Sequence, residues 1–396
     1  SICNYAEEVY NIPDLDTTGI RRGSALALKF MQIRTIWLPK SLSEIRDHRG
    51  KPKKDLRDWC DYHHSPNDFK ALMNGAVCTE FITKKWDSKK ECYTYSIMVT
   101  RLLEFLKLNG FHTLKDDASP ESRYVRIERH IVTELLLRDI PFFVKSWAES
   151  HHLNEFERDV IYKTKALTGA SLERLDQVNP DFCNNGPTWQ LFFTRKECYR
   201  VTAQGVSRTT DFSNYVWDSK VIPIDSRLEE TPCFEISKES GRYPWRIRVV
   251  STRSPFFSYL INTSRLHWRK EMELRFKDDP AAAQAYAEAN RFRIDGEGLE
   301  PTEIHEQMQN LVNKIFTIGY LCHRHKEKSR AWAPFAMDNK IGSEGECNGG
   351  SGKTVFFNIL GHYMRTLQFD GKQKDSDKDK HRYEQVDRHT DLIFVD

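Results

Sequence analysis

ECNGGSGKTVFFNIL, residues 346–360, sets three glycines within four positions directly ahead of a lysine, a threonine and an apolar run. Glycine carries no β-carbon, so the backbone from Asn348 through Gly349, Gly350, Ser351 and Gly352 can fold closely and turn its N–H groups inward on phosphate oxygens. In such a cradle Lys353 reaches the β- and γ-phosphates of ATP, and the Thr354 hydroxyl holds Mg²⁺. The apolar run at 355–360 then supplies a helix whose N-terminus faces the anion. The usual pattern G-x-x-x-x-G-K-[ST] has glycine where this chain has Cys347, and the strand expected before it, NKIGSEGE, is unusually polar.

A nucleotide site of this kind needs a second half, an apolar strand ending in an acid that holds the metal's water. The chain closes TDLIFVD, which puts Asp396 in that place, and Lys353 and Asp396 are therefore the expected catalytic pair. The interval between them predicts the loop's helix, one strand near 367–369, a short helix and then the acidic strand. The catalytic glutamate, polar sensor and arginine finger that hydrolysis needs would follow Asp396. Because the first residue is Ser1 and the last closes an apolar strand, the chain reads as a piece of a longer protein.

Near the other end, IPDLDTTG at 12–19 sets Asp14 and Asp16 one residue apart. Two close carboxylates repel each other, so the pair calls for a positive guest, most simply Mg²⁺, or else forms an ordinary Asp-x-Asp turn. Helical spacing at 20–31 and strand-like alternation at 33–39 make the whole a strand, acidic turn, helix and strand. Such a crossover belongs to a parallel sheet, at whose carboxyl edge α/β proteins place ligands. RGKPKKDLRDW at 49–59 adds Asp55 and Asp58, either at the same rim or in a solvated turn, with the turn preferred.

A chain of 396 residues, 39% hydrophobic and 30% charged, reads as two or three globular domains without a membrane span. Its formal charge of +3 arises from 60 basic and 57 acidic side chains, so contact with nucleic acid requires a local basic surface. Nine scattered cysteines without a C-x-x-C pair argue against a zinc ribbon and a disulfide framework and fit a reducing cytoplasm. Cys322 and His325 read as packing residues. The pattern predicts mostly helix from 68 to 110, a loop and boundary at 115–123, a new unit near Tyr124, helices over 126–169 and short strands over 188–222. Further helices are predicted at 281–290 and 303–326, and a solvated loop at 370–382. Residues 239–270 interleave Arg242, Arg246, Arg248, Arg253, Arg265 and Arg269 with Tyr243, Trp245, Phe256, Phe257 and Trp268. That composition suits single-stranded DNA, rings on bases and cations on phosphates, and equally a half-exposed strand.

The segment VYNIPDLDTTGIRRGSALALKF resembles the second half of a Toprim domain, the metal-binding fold of DnaG-type primases and topoisomerases. Asp14 and Asp16 match its D-x-D motif, while its earlier glutamate has no counterpart, Glu7 and Glu8 lying too close. N-G-G-S-G-K-T and its spacing to Asp396 resemble the superfamily 3 helicases of phages, plasmids and large DNA viruses, and NYVWDSKVIP resembles the region preceding that helicase. The resemblance implies an α/β multidomain chain: 1–60 the end of a Toprim sheet, 61–123 a helical linker region, 124–270 an α+β module, 271–334 a helical lead-in and 335–396 the start of an AAA+-like P-loop NTPase. It implies a primase-helicase of a phage or mobile element, acting in the cytoplasm of a bacterial host. Its ligands would be ATP and Mg²⁺, the latter at Asp14, Asp16, Thr354 and Asp396, and its partners single-stranded DNA and its own copies in a hexameric ring. An ATP-gated Toprim nuclease of a defence system and a non-catalytic replication-initiator scaffold are the alternatives.

Overall fold

The computed structural model describes residues 6–115, 123–151, 153–209, 214–223, 231–337, 352–371, 381 and 383–395. Cys347, Asn348, Gly349, Gly350, Ser351 and Asp396 lie outside them. The architecture is mixed α/β with several small sheets, divided into two compact units, Ser1–Asp181 and Phe182–Asp396. That division falls inside the 124–270 stretch, which contributes to both units. Among the described residues no helix is long and apolar enough to cross a membrane.

The first unit opens with the expected crossover. Strand β1 (Tyr10–Asn11) pairs in parallel with β2 (Arg34–Thr35) across helix α1 (Thr17–Lys29), and β3 (Val77–Cys78) joins β2 antiparallel. Short helices α2 (Leu56–Cys60) and α3 (Pro66–Asn74) follow; Trp59, Leu38 and Leu42 are buried beside Ile12 and Leu15. The helix expected through 68–110 is interrupted. An antiparallel ribbon of β4 (Ile82–Asp87) and β5 (Cys92–Ile97) stands there before α4 (Val99–Leu108). Its rings and β-branched residues recur with a period of two, which favours a pleated ribbon over a helix.

Gly110 ends α4 with φ +85°, and a β-carbon there would lie 2.2 Å from the Ile127 carbonyl oxygen. Only glycine permits that approach, which lets β6 (Phe111–Leu114) run antiparallel to β7 (Arg123–Glu128). Chain on both sides of 115–123 thus lies in one sheet, so no unit begins at Tyr124. Strand β8 (Ile131–Leu135) extends the sheet where helix was expected, and only then come α5 (Asp139–Ser150), α6 (Glu155–Lys163) and α7 (Gly169–Leu172). Strand β9 (Gln177–Val178) closes the other edge, parallel to β6. Phe81, Leu102, Phe105, Phe111, Ile140 and Val144 form the core, with Phe105 wedged 5.0 Å from Phe81 and 4.8 Å from Trp147, ring centroid to centroid. Burying rings of this size contributes roughly 2–3 kcal/mol each before conformational entropy is charged.

The second unit begins with an antiparallel sheet of β10 (Asn185–Gly186), β11 (Trp189–Phe193), β12 (Cys198–Thr202) and β13 (Gly205–Thr209), followed by β14 (Val216–Trp217). The hairpin of β15 (Phe234–Lys238) and β16 (Trp245–Val249) then packs on α8 (Pro255–Thr263) and α10 (Pro301–Cys322), with α9 (Pro280–Ala289) between those helices in sequence. Helix α11 (Lys353–Asn358) precedes the parallel pair β17 (Thr366–Phe369) and β18 (Leu392–Val395). The expected order of helix, strand and final apolar strand is present, while the acid Asp396 lies outside the described residues. The short helix between the strands is absent among the described residues.

Asp391, at the foot of β18, has a side chain only 3% exposed and takes Lys220 Nζ at 2.8 Å, Arg324 Nε at 2.9 Å and the Arg365 N–H at 3.2 Å. Burial alone would raise its pKa, but the Arg324 charge and the Lys220 hydrogen bond outweigh it and hold the carboxyl below its ordinary value. Asp391→Ala leaves two cations facing a cavity and should cost the second unit about 3 kcal/mol. Urea unfolding followed by hydrogen exchange at the β17–β18 amides measures this. The wild-type advantage should be complete above the ordinary carboxylate pKa of about 3.9 and vanish as pH falls through the lower folded value.

Candidate functional site

The acid pair of the first unit lies where a parallel strand gives way to its crossover helix. Asp16 caps α1, its carboxylate accepting the Gly19 N–H at 2.7 Å, and Gly19 is needed because a β-carbon there would sit 2.4 Å from the Asp14 carbonyl oxygen. Lys54 supplies a positive charge. Its Nζ lies 2.5 Å from Asp16 Oδ2 and 3.5 Å from Asp14 Oδ2, and its carbonyl accepts the Leu15 N–H at 2.8 Å. The Lys54 hydrogen bond, followed by the Gly19 N–H, holds the Asp16 carboxyl below its ordinary pKa, and Asp16 in turn raises that of Lys54.

The stretch 49–59 therefore does reach this rim, but through a cation. Asp55 and Asp58 are turned to another task, the reciprocal capping box of α2. Glu8 pairs with Arg34 at 3.0 Å and accepts the Tyr10 hydroxyl. Among the described residues no group of three or more His, Cys, Asp or Glu side chains is arranged to hold a metal ion. Two half-exposed carboxylates suit a hard divalent cation in kind, but the ion would have to displace Lys54 and complete its shell with water.

The second unit brings Gly352, Lys353 and Thr354 to the head of α11. Gly352 adopts φ +83°, and its carbonyl accepts the Tyr259 hydroxyl at 2.6 Å. A β-carbon on Gly352 would meet that hydroxyl at 2.6 Å, so glycine here is a steric requirement of the Tyr259 contact. Phe356 buries beneath α11, and Phe357 lies 5.0 Å from Phe394, centroid to centroid, which seats the helix against β18.

Lys353, Phe356 and Phe357 line one wall of a cleft of about 970 Å³. Asn310, Lys314 and Thr317 of α10 form another wall, with Arg265, Trp268 and Arg269 on a third. This is ample volume for a nucleotide. Lys314 Nζ donates to the Thr263 carbonyl at 2.6 Å and its hydroxyl at 3.0 Å, and burial pushes its pKa down to about 8. Among the described residues the buried Asn310 amide oxygen meets no hydrogen-bond donor. Arg265 is not available as a phosphate ligand. Glu271 neutralises it in a nearly dry setting, Asn290 O accepts from its Nη1 at 3.0 Å, and Trp268 lies under its guanidinium.

Several other arginines of 239–270 are likewise committed. Arg246 pairs with Glu239 at 3.0 Å, Arg248 with Glu235 at 2.6 Å and Arg269 with Glu273 at 3.4 Å, and WRIRV forms a half-exposed strand. Cys322 packs at the end of α10, where burial pushes its thiol up. Sequence reasoning missed Lys54, Tyr259 and Lys314. The first had a weak signal in the basic run beside Asp55; the other two sit inside apolar helical stripes that hide them.

In a Lys54→Gln variant the Asp16 carboxyl should return toward the ordinary carboxylate pKa, with its titration midpoint moving upward. Carbon-13 NMR titration of labelled aspartate reads this, and an unmoved midpoint would show that Lys54 does not govern the pair. Comparison with models of known families, with curated proteins and with solved structures finds no match to this chain.

Proposed function

We propose that this chain is part of a replicative primase-helicase of a phage or mobile element, with a nucleoside triphosphate bound in its second unit. The observation that carries the reading is Gly352-Lys353-Thr354 at the head of a helix seated on a parallel strand pair, beside a cleft of nucleotide size. Lys353 would hold the β- and γ-phosphates, and Thr354 would hold the Mg²⁺ that screens their charge. The backbone of 348–351 and the carboxylate of Asp396 enter this reading from the sequence. Action on single-stranded DNA, assembly into a ring and residence in the host cytoplasm belong to the same proposal.

For the first unit the Asp14 and Asp16 pair would serve Mg²⁺-dependent primer synthesis only when Lys54 gives way to the ion. The lysine between the two carboxylates favours a second reading, a replication scaffold that binds nucleotide and DNA without turnover. ATP hydrolysis stimulated by single-stranded DNA separates the motor from the scaffold.

Titration of the chain with a fluorescent ATP analogue tests the site itself. Lys353→Ala should weaken binding at least tenfold, about 1.4 kcal/mol. Binding should also loosen as pH rises through about 8, where Lys314 loses the proton that an entering phosphate favours. Lys314→Met should bind less tightly and lose that pH dependence. Unchanged affinity in Lys353→Ala would remove the nucleotide reading.

A further inference from the structure

We propose that the β4–β5 ribbon of the first unit is a docking surface for single-stranded nucleic acid, its exposed rings stacking on bases while its lysines lie against phosphates. The register sets this up. Ile82 pairs with Ile97, Lys84 with Tyr95 and Trp86 with Tyr93, and directly opposed residues of an antiparallel pair share a face. At the base of that face Ile82 and Ile97 pack against the core, so the outer positions project beyond it.

Those outer positions hold rings that the fold does not cover. Trp86 is 56% and Tyr93 53% exposed, their centroids 5.0 Å apart in an edge-on arrangement. Tyr95 stacks within 7° of parallel on Phe156 of α6, itself 69% exposed, which extends the aromatic surface from ribbon to helix. Lys84 Nζ lies over the Tyr93 ring, 4.0 Å from its centroid, placing a cation within the aromatic platform.

Charge complementarity selects the partner. Residues 82–97 carry four lysines against two acids, Asp87 and Glu91. Lys84, Lys85 and Lys89 make no ion pair among the described residues, and Lys90, 72% exposed, faces Asp87 only at 4.0 Å. On the adjoining helix Glu157 is occupied in the capping box with Asn154, which leaves Glu155 as the other acid of its first turn. Unpaired cations interleaved with exposed rings fit a flexible polyanion whose bases are free to stack. The arginines of 239–270 that are held by glutamates do not meet that condition. This places the nucleic-acid contact of the function proposed above, and it rests on that reading only for the class of partner.

Fluorescence anisotropy with the full chain and no nucleotide tests it, using end-labelled oligothymidylate and oligouridylate of about 20 nucleotides. Trp86→Ala/Tyr93→Ala should bind either strand at least about tenfold more weakly, with unchanged circular dichroism. Lys84→Gln, the lysine on the face of the rings, should flatten the log–log salt dependence by about 0.7, the loss of one phosphate contact. Duplex of the same length should compete poorly. Lys353→Ala should leave this binding unchanged, so that loss of the nucleotide site and loss of the ribbon contact are told apart. Variants of both kinds binding as tightly as the parent, duplex competing equally, or a parent chain that binds neither oligonucleotide would overturn the proposal.

Discussion

A carboxylate removed from water is the constraint on which the second unit turns. Moving an ion of that size into a poorly polarisable setting costs several kcal/mol unless partners replace its hydration. Asp391 obtains three, the side chains of Lys220 and Arg324 and the backbone of Arg365. These come from the turn after β14, the exit of α10 and the entry to β17, segments distant in sequence that must converge for the charge to be tolerated. With the exit of α10 tied to β18, and α11 seated on the same strand through Phe357 and Phe394, two walls of the cleft share one support.

The acid pair of the first unit follows the opposite logic. Asp14, Asp16 and Lys54 are each nearly half exposed, so water screens their attraction and the association contributes little to stability. What it fixes is local geometry, the cap of α1 and the approach of the 49–59 segment. A contact of this kind exchanges readily. An exposed lysine can be replaced at two carboxylates by another cation, whereas Lys220 and Arg324 cannot leave Asp391 without exposing the buried charge to an apolar setting.

Periodicity made much of this architecture legible. The stripes that define α1 and α10 read clearly because amphipathic helices repeat their apolar positions, α9 followed from its alanine-rich helix propensity, and the parallel crossover at β1 and β2 followed from strand, acidic turn and helix. The β4–β5 ribbon and the β7–β8 hairpin did not, since each strand offers only two or three periods and polar or charged residues interrupt the apolar ones. Asp396 drew the eye at the end of TDLIFVD, yet the acid whose burial is visible is Asp391 at its beginning. Partners far apart in sequence, such as Lys54 and Asp16 or Lys220 and Asp391, leave no local trace. Nothing in a helical stripe says which polar member will face a cleft, so Lys314 was not legible either.

The hydroxyl of Tyr259 has a mechanical consequence. Burial pushes its phenol above the ordinary tyrosine range, so it remains a donor throughout neutral pH and its bond to Gly352 is insensitive to acidity there. It works as a latch between α8 and the last residue ahead of Lys353. Any swing of that glycine peptide must either release the latch or drag α8, whose far end runs into the clamped Arg265–Glu271 block. The peptide ahead of Lys353 is thereby coupled to α8 and to Arg265, which lines the same cleft.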